Sequence, residues 1–135
     1  VIISQIDKYV ADHSDRAVAF TSLGQLRYLS ALQYVDGVVG NSSSGLAEAP
    51  SFKIGTVNIG ERQNGRIKAE SVVDCEPGAE AIMQAITKIL SADFKPVLER
   101  VKIPYGDKNT SELILKVIKD TDLKNLLKKQ FYDIS

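Results

Sequence analysis

The sequence predicts an α/β protein: a parallel sheet with helices on both faces. Three observations carry this. Short apolar runs alternate with stretches of helical periodicity. The runs themselves, Val38-Val39, Thr56-Val57-Asn58-Ile59 and Ser71 to Cys75, are too short and too apolar to show a clean polar face. Each is followed by glycine, proline or polar loop residues and then by further periodic sequence, the alternation expected of a sheet covered on both sides. A length of 135 residues suits one domain around one core.

Taken in order, Ile2, Ile3, Ile6, Tyr9 and Val10 recur at helical spacing and predict a first helix over about residues 2–12. Arg16 to Phe20 is β-prone, ends in the polar pair Thr21-Ser22, and is expected to be a first strand. Leu26, Leu29, Leu32 and Val35 mark one face of a second helix, broken by Asp36-Gly37. Val38-Val39 is a minimal buried strand. The stretch Gly40-Asn41-Ser42-Ser43-Ser44-Gly45-Leu46-Ala47-Glu48-Ala49-Pro50 then leads into a helix expected to reach about Phe52. Gly55 opens the strand Thr56 to Ile59 and Gly60 ends it; Ser71 to Cys75 is the last strand. After the Pro77-Gly78 turn, Ile82, Ile86, Ile89 and Leu90 mark a long helix. Asp93 to Asp107, with Pro96, Pro104 and Gly106, reads as a connector. Asn109 and Glu112 have capping-box spacing for a helix that would bury Leu113, Ile114, Val117 and Ile118. A final helix would bury Leu123, Leu126, Leu127 and Phe131. Lys116, Lys119, Lys124, Lys128 and Lys129 decorate these two helices and read as a solvated face.

Composition removes several function classes. The formal net charge is zero, which argues against general binding to nucleic acid or an anionic membrane. No apolar run approaches the roughly 20 residues that span a bilayer. Cys75 is the one cysteine, so no disulfide framework or cysteine-based metal site is expected, and a reducing, cytoplasmic setting fits. His13, the one histidine, lies in the polar stretch Asp12-His13-Ser14-Asp15 and reads as a loop residue. Serine or cysteine triads and histidine-rich metal sites are therefore hard to build. The start, Val1-Ile2-Ile3-Ser4-Gln5, has no initiating methionine and no basic leader, and reads as a cut within a longer chain.

The polar stretch after Val39 carries the chemistry. In an open parallel sheet the loops at the C-terminal ends of the strands gather on one edge, where ligands bind. Three loops should meet there: Thr21 to Gly24, Gly40 to Gly45, and Gly60 to Arg66. The middle one enters a helix, whose first N–H groups lack intrahelical partners. Those N–H groups, the glycines and the hydroxyls of Ser42, Ser43 and Ser44, with Asn41 and Gly45 beside them, form an anion cradle suited to phosphate. Ordinary capping by Ser43 or Ser44 stays open beside that reading. Gly40 and Gly45 have P-loop spacing, but Leu46-Ala47 replaces the required Lys and Ser/Thr. The G-x-S-x-G hydrolase elbow fails too, because the glycines are one residue too far apart. Asn41-Ser42-Ser43 is formally a glycosylation sequon without a secretory signal to support it. Glu48, one turn beyond Ser44, would be repelled by a diphosphate yet suits the vicinal diol of a ribose; a plain surface glutamate is the alternative. Arg62 and Arg66 bring two guanidinium groups to the same edge, as phosphate ligands or as solvated loop residues.

GNSSSGLAEAPSFKIGTVNIGERQNGR followed by Ser71-Val72-Val73-Asp74-Cys75 closely resembles the hydrolysing UDP-N-acetylglucosamine 2-epimerases of sialic-acid and related sugar biosynthesis. FTSLGQLRYLSALQYVDGVVG and Pro104-Tyr105-Gly106-Asp107 match as well, and the resemblance runs from about Ile3 to Ile118. It implies two Rossmann-like domains in a glycosyltransferase-B-like arrangement with UDP between them. This chain would be most of the C-terminal, UDP-binding domain, with residues from about 109 to 135 packing toward an N-terminal domain. The resemblance implies that Ser42 and Ser43 bind the diphosphate, that Glu48 binds the ribose hydroxyls, and that Arg62 and Arg66 lie near the nucleotide. Uracil is expected against the loop holding Ser22, Leu23 and Leu26. The implied reaction abstracts the C2 proton of the sugar, eliminates UDP across C1–C2, and adds water with inverted C2 configuration to release N-acetylmannosamine. Its acid and base would lie upstream of Val1, so no catalytic residue is assigned here and the isolated chain is expected to be inactive. Neither cofactor nor metal is implied. Homo-oligomerisation is expected. The donor-binding half of a glycosyltransferase and a non-catalytic phosphate-binding or dimerisation module remain the alternatives.

Overall fold

Three parallel strands, β1 (Gly37–Gly40), β2 (Gly55–Ile59) and β3 (Val72–Cys75), form the sheet of a computed structural model that describes residues 1–106 and 109–124. β2 is central. Val39 pairs with Val57 on one side, and Val57 with Val73 on the other. All three strands run the same way, so the residues after Gly40, Ile59 and Cys75 lie on one edge.

Alternation along β2 explains how both faces are covered. Gly55, Val57 and Ile59 face α4 (Ala79–Leu90), where Val57, Ala85, Ile89 and Phe94 make a buried cluster. Ile59, Val73, Cys75 and Ile86 pack around it. Ile89 lies directly over Gly37 and Gly55, which are register partners; a Cβ on either would come within 2.8 or 2.6 Å of the isoleucine. Burying a side chain of that size is worth about 1.5–3 kcal/mol, and only a floor of two glycines admits it so close to the backbone. On the opposite face Thr56 meets the short helix α3 (Ser44–Ala47), donating its hydroxyl to the Gly45 carbonyl at 2.9 Å. This is the α/β, Rossmann-like parallel sheet with helices on both faces that the alternation predicts. Among the described residues no helix is long and apolar enough to cross a membrane.

Helix α1 spans Ile2–Asp12, as its periodicity predicts, but its apolar residues Ile2, Ile3 and Tyr9 are exposed. Several expectations are corrected. Arg16–Phe20 forms no strand, and Val18 and Phe20 stand in solvent, because among the described residues no strand pairs with their backbone groups. Helix α2 (Gly24–Ala31) stops short of Val35; of its predicted face Leu32 is buried, whereas Leu26 is 80% exposed. The helix after the serines ends at Ala47 and resumes as a 3-10 turn, Ala49–Phe52, with Pro50 near its start. Proline cannot donate the N–H a continuous helix needs there. The predicted connector contains a 3-10 turn, Ala92–Phe94, and helix α5 (Lys95–Glu99), which Pro96 starts rather than breaks. Helix α6 (Thr110–Asp120) begins at Asn109, but no side-chain capping bond forms, and Leu113, Ile114, Val117 and Ile118 are all more than half exposed. The predicted Leu126, Leu127 and Phe131 face lies outside the described residues.

Candidate functional site

The serine loop begins where β1 ends and leads straight into α3. Its hydrogen bonds move the free donors upstream of where helix-start reasoning puts them. The Gly45 N–H donates to the Ser42 carbonyl at 3.2 Å, the Leu46 N–H to the Ser43 carbonyl at 3.0 Å, and the Ser44 N–H to the Ser42 hydroxyl at 3.4 Å. The N–H groups of Ser42 and Ser43 make no hydrogen bond among the described residues, and both residues are exposed. Two consecutive amides without a partner therefore belong to exposed residues at the sheet edge, beside the Ser43 hydroxyl and a Ser42 hydroxyl that accepts the Ser44 N–H.

The other candidates divide clearly. The Ser44 hydroxyl is hydrogen-bonded to that of Tyr28 and ties α3 to α2. Gly45 is buried, and a Cβ there would lie 2.6 Å from Thr56 Cγ2, so its glycine is needed for close packing of α3 on β2. Arg62 donates to the Asn41 side-chain oxygen at 3.4 Å. Arg66 is exposed, and its guanidinium makes no hydrogen bond or ion pair among the described residues. Glu48 is half-buried and shares an open cavity of about 540 Å³ with Ser22, Leu23, Gly24 and Tyr28. Leu26 is exposed and does not line this cavity. All three predicted loops thus come to the region of α3, two of them joined by direct contacts to Asn41.

Sequence reasoning missed Gln63 and Tyr28. Gln63 is buried to 2% exposure in a loop whose neighbours are exposed, and donates its amide to the Asn41 carbonyl at 2.7 Å. A polar residue between an arginine and an asparagine gives no hydropathy signal of burial. Tyr28 carries no signal either, because its partner lies in another element.

The sheet edge also has a second hollow, of about 340 Å³, over β2 and β3, lined by Gly60, Glu61, Asn64, Asp74, Cys75 and Glu76. Its three carboxylates disfavour an anion. Burial opposes ionisation of Asp74, but hydrogen bonds from Lys68 at 2.8 Å and Asn58 at 2.7 Å, with the charge of Lys68, outweigh it and hold the carboxyl below its ordinary value. Burial first, and then the Asp74 and Glu76 carboxylates, push the Cys75 thiol up, which makes it a poor nucleophile. His13 donates from Nδ1 to the Tyr9 carbonyl at 2.9 Å and stacks on that ring, at the end of α1.

The fold is thus that of an α/β protein with a parallel sheet, with the unpartnered Ser42 and Ser43 amides at the C-terminal strand ends. The chain belongs to the UDP-N-acetylglucosamine 2-epimerase family, whose model matches residues 2–119. It is similar to the polysialic acid biosynthesis protein P7 of Escherichia coli, 41% identical over 79% of this chain and 28% of that protein. It also resembles the GDP/UDP-N,N'-diacetylbacillosamine 2-epimerase (hydrolyzing) of Campylobacter jejuni, 36% identical over 99% of this chain and 35% of the relative. The UDP-N,N'-diacetylbacillosamine 2-epimerase (hydrolyzing) of Legionella pneumophila is 32% identical over 90% of this chain and 31% of its own length. The chain spans about a third of the length of these relatives.

Proposed function

We propose that this chain is the UDP-binding part of a hydrolysing UDP-N-acetylglucosamine 2-epimerase, the C-terminal domain of a glycosyltransferase-B-like pair. The observation that carries the reading is the pair of free amides and exposed hydroxyls at Ser42 and Ser43, one short helix away from Glu48 in its cavity. Ser42 and Ser43 hold the diphosphate, with charge from Arg62. Glu48 accepts hydrogen bonds from the ribose diol, and uracil lies toward Ser22 and Leu23. Donors fixed in place before the reaction stabilise charge as it develops on the departing UDP. They lower the barrier to its elimination across C1–C2 without taking any proton themselves.

The base that removes the C2 proton falls to the remaining length that the relatives have. The 135-residue chain alone therefore does not turn over, and α6 with the residues after it packs toward that remainder. The complete protein releases UDP and N-acetylmannosamine and works in the cytoplasm as a homo-oligomer. A second sugar is favoured by the names of two relatives: a UDP-N,N'-diacetylbacillosamine substrate would use the same leaving-group site.

Titrating UDP into the ¹⁵N-labelled chain tests the site. The Ser42 and Ser43 amide resonances should move most, and a Ser42→Ala/Ser43→Ala double variant should weaken binding at least tenfold. Shifts confined to the hollow over β3, or an unaffected double variant, would overturn the assignment. Activity is tested by combining the chain with the separately made remainder of its longer protein and following release of free sugar from each UDP-sugar. Transfer of sugar to an acceptor instead would indicate a glycosyltransferase.

A further inference from the structure

We infer that Gln63 is a positioning residue: its buried side-chain amide fixes the peptide between Asn41 and Ser42, and so aims the phosphate-binding donors. The inference rests on the diphosphate reading of Ser42 and Ser43, and it names the group that sets their geometry.

The loop Gly60–Arg66 is exposed at Glu61, Arg62, Asn64, Gly65 and Arg66, yet Gln63 is 2% exposed. A buried amide costs free energy unless it is hydrogen-bonded; Oε1 of Gln63 is buried with no partner among the described residues, so the one bond that the side chain makes is what offsets its burial. Nε2 donates to the Asn41 carbonyl at 2.7 Å. The adjacent Arg62 takes the Asn41 side chain, through Nη1 to Oδ1 at 3.4 Å. Two neighbouring residues of one loop thus fasten the main chain and the side chain of one residue in the other. Gly60 and Gly65 bracket the contact at φ of +70° and +76°, a conformation that side chains disfavour, so the loop's turn is built into its sequence.

The consequence follows from peptide geometry. The described peptide bonds include no cis form, and in a trans peptide the C=O and the following N–H point in opposite directions. Drawing the Asn41 carbonyl onto Gln63 turns the Ser42 N–H to the far side of that peptide, away from the Gln63 amide. The Ser42 carbonyl is meanwhile taken by the Gly45 N–H, which turns the Ser43 N–H in the same manner. Both free donors owe their direction to an accepted bond on the preceding carbonyl. One of those bonds is local to α3. The other comes from Gln63, more than twenty residues along the chain.

The test compares the ¹⁵N-labelled 135-residue chain with Gln63→Met, which keeps length and volume but removes the donor. Without ligand, Gln63→Met should lower the order parameters of Ser42 and Ser43 while those of β2 and α4 stay unchanged. With UDP as probe, affinity should fall about tenfold, and Gln63→Asn should not restore it because its amide is one methylene short. In the unmutated chain, a through-hydrogen-bond coupling should link Gln63 Nε2 to the Asn41 carbonyl carbon; this arm stands even if the variant fails to fold. Absence of that coupling, or rigid Ser42 and Ser43 amides in a folded Gln63→Met chain, would sink the inference. If UDP leaves the unmutated chain's spectrum untouched, the diphosphate reading fails, while Gln63 is still judged by the ligand-free order parameters and the coupling.

Discussion

Ser42 and Ser43 differ from Ser44 in one decisive respect: the Ser44 hydroxyl is tied to Tyr28 of another helix, whereas theirs belong to exposed residues and, among the described residues, only that of Ser42 has a partner, the neighbouring Ser44 N–H. Ser44→Ala should therefore cost stability by loosening α2 from α3, with a smaller effect on UDP affinity than the Ser42/Ser43 double change. Paired urea unfolding and UDP titration would separate the two effects. Glu48→Gln tests the ribose contact. It should weaken UDP several-fold and abolish any preference for UDP over 2′-deoxy-UDP, because a neutral amide oxygen accepts less strongly than a carboxylate. Asp74 gives a pH prediction. Its folded-state pKa is lowered, so its contribution is present above the unfolded carboxylate value near 3.9 and is lost as pH falls through the folded value. Asp74→Asn should be less stable at pH 7, by under about 1 kcal/mol because the carboxylate is largely exposed, and the difference should shrink as pH falls toward 2. Denaturant midpoints at the two pH values check this.

The elements are held together by close approaches that glycine alone permits. α4 reaches the sheet through Ile89 over Gly37 and Gly55, and α3 reaches it through Gly45 over Thr56. Gly55→Ala and Gly45→Ala should each destabilise by about 1–3 kcal/mol through overpacking, read as a lowered urea midpoint. Gly45→Ala should in addition lift α3 and weaken UDP binding; Gly55→Ala, on the opposite face, should leave the affinity of the folded fraction unchanged. The link between β2 and β3 is a second such device. It has no helix, and is pinned instead by Gln63 to Asn41 and by the Tyr105 hydroxyl donating to the Ile67 carbonyl at 2.7 Å.

Across the whole molecule the notable feature is apolar surface. Ile2, Ile3 and Tyr9 of α1, and Leu113, Ile114, Val117 and Ile118 of α6, are exposed on helices whose periodicity is that of buried faces. On the proposed reading, the α6 face packs toward the remainder of the longer protein. An Ile114→Ser/Val117→Ser double change should leave the stability of this chain within about 0.5 kcal/mol, since nothing is lost on folding, and on the proposed reading should lower the epimerase activity of the longer protein. Unfolding curves of the chain and turnover of the complete enzyme would show the contrast.

By itself the sequence determined the parallel α/β class, the strands β1, β2 and β3, and the helices α1 and α4, because hydrophobic period and glycine punctuation are local properties. It also marked the loops that come together, since strand direction alone sends Asn41 and Arg62 to one edge. Tertiary structure decided the rest. Whether Arg16–Phe20 is a strand depends on a neighbour to pair with, not on its own β-propensity. Whether the α6 face is buried depends on a surface to receive it. Which serine amides stay free, and which hydroxyl is taken by Tyr28, depends on hydrogen bonds between residues far apart in the chain. Gln63 shows the limit most plainly: nothing in its immediate sequence marks a buried amide, because burial and bonding come from Asn41, on the other side of β2.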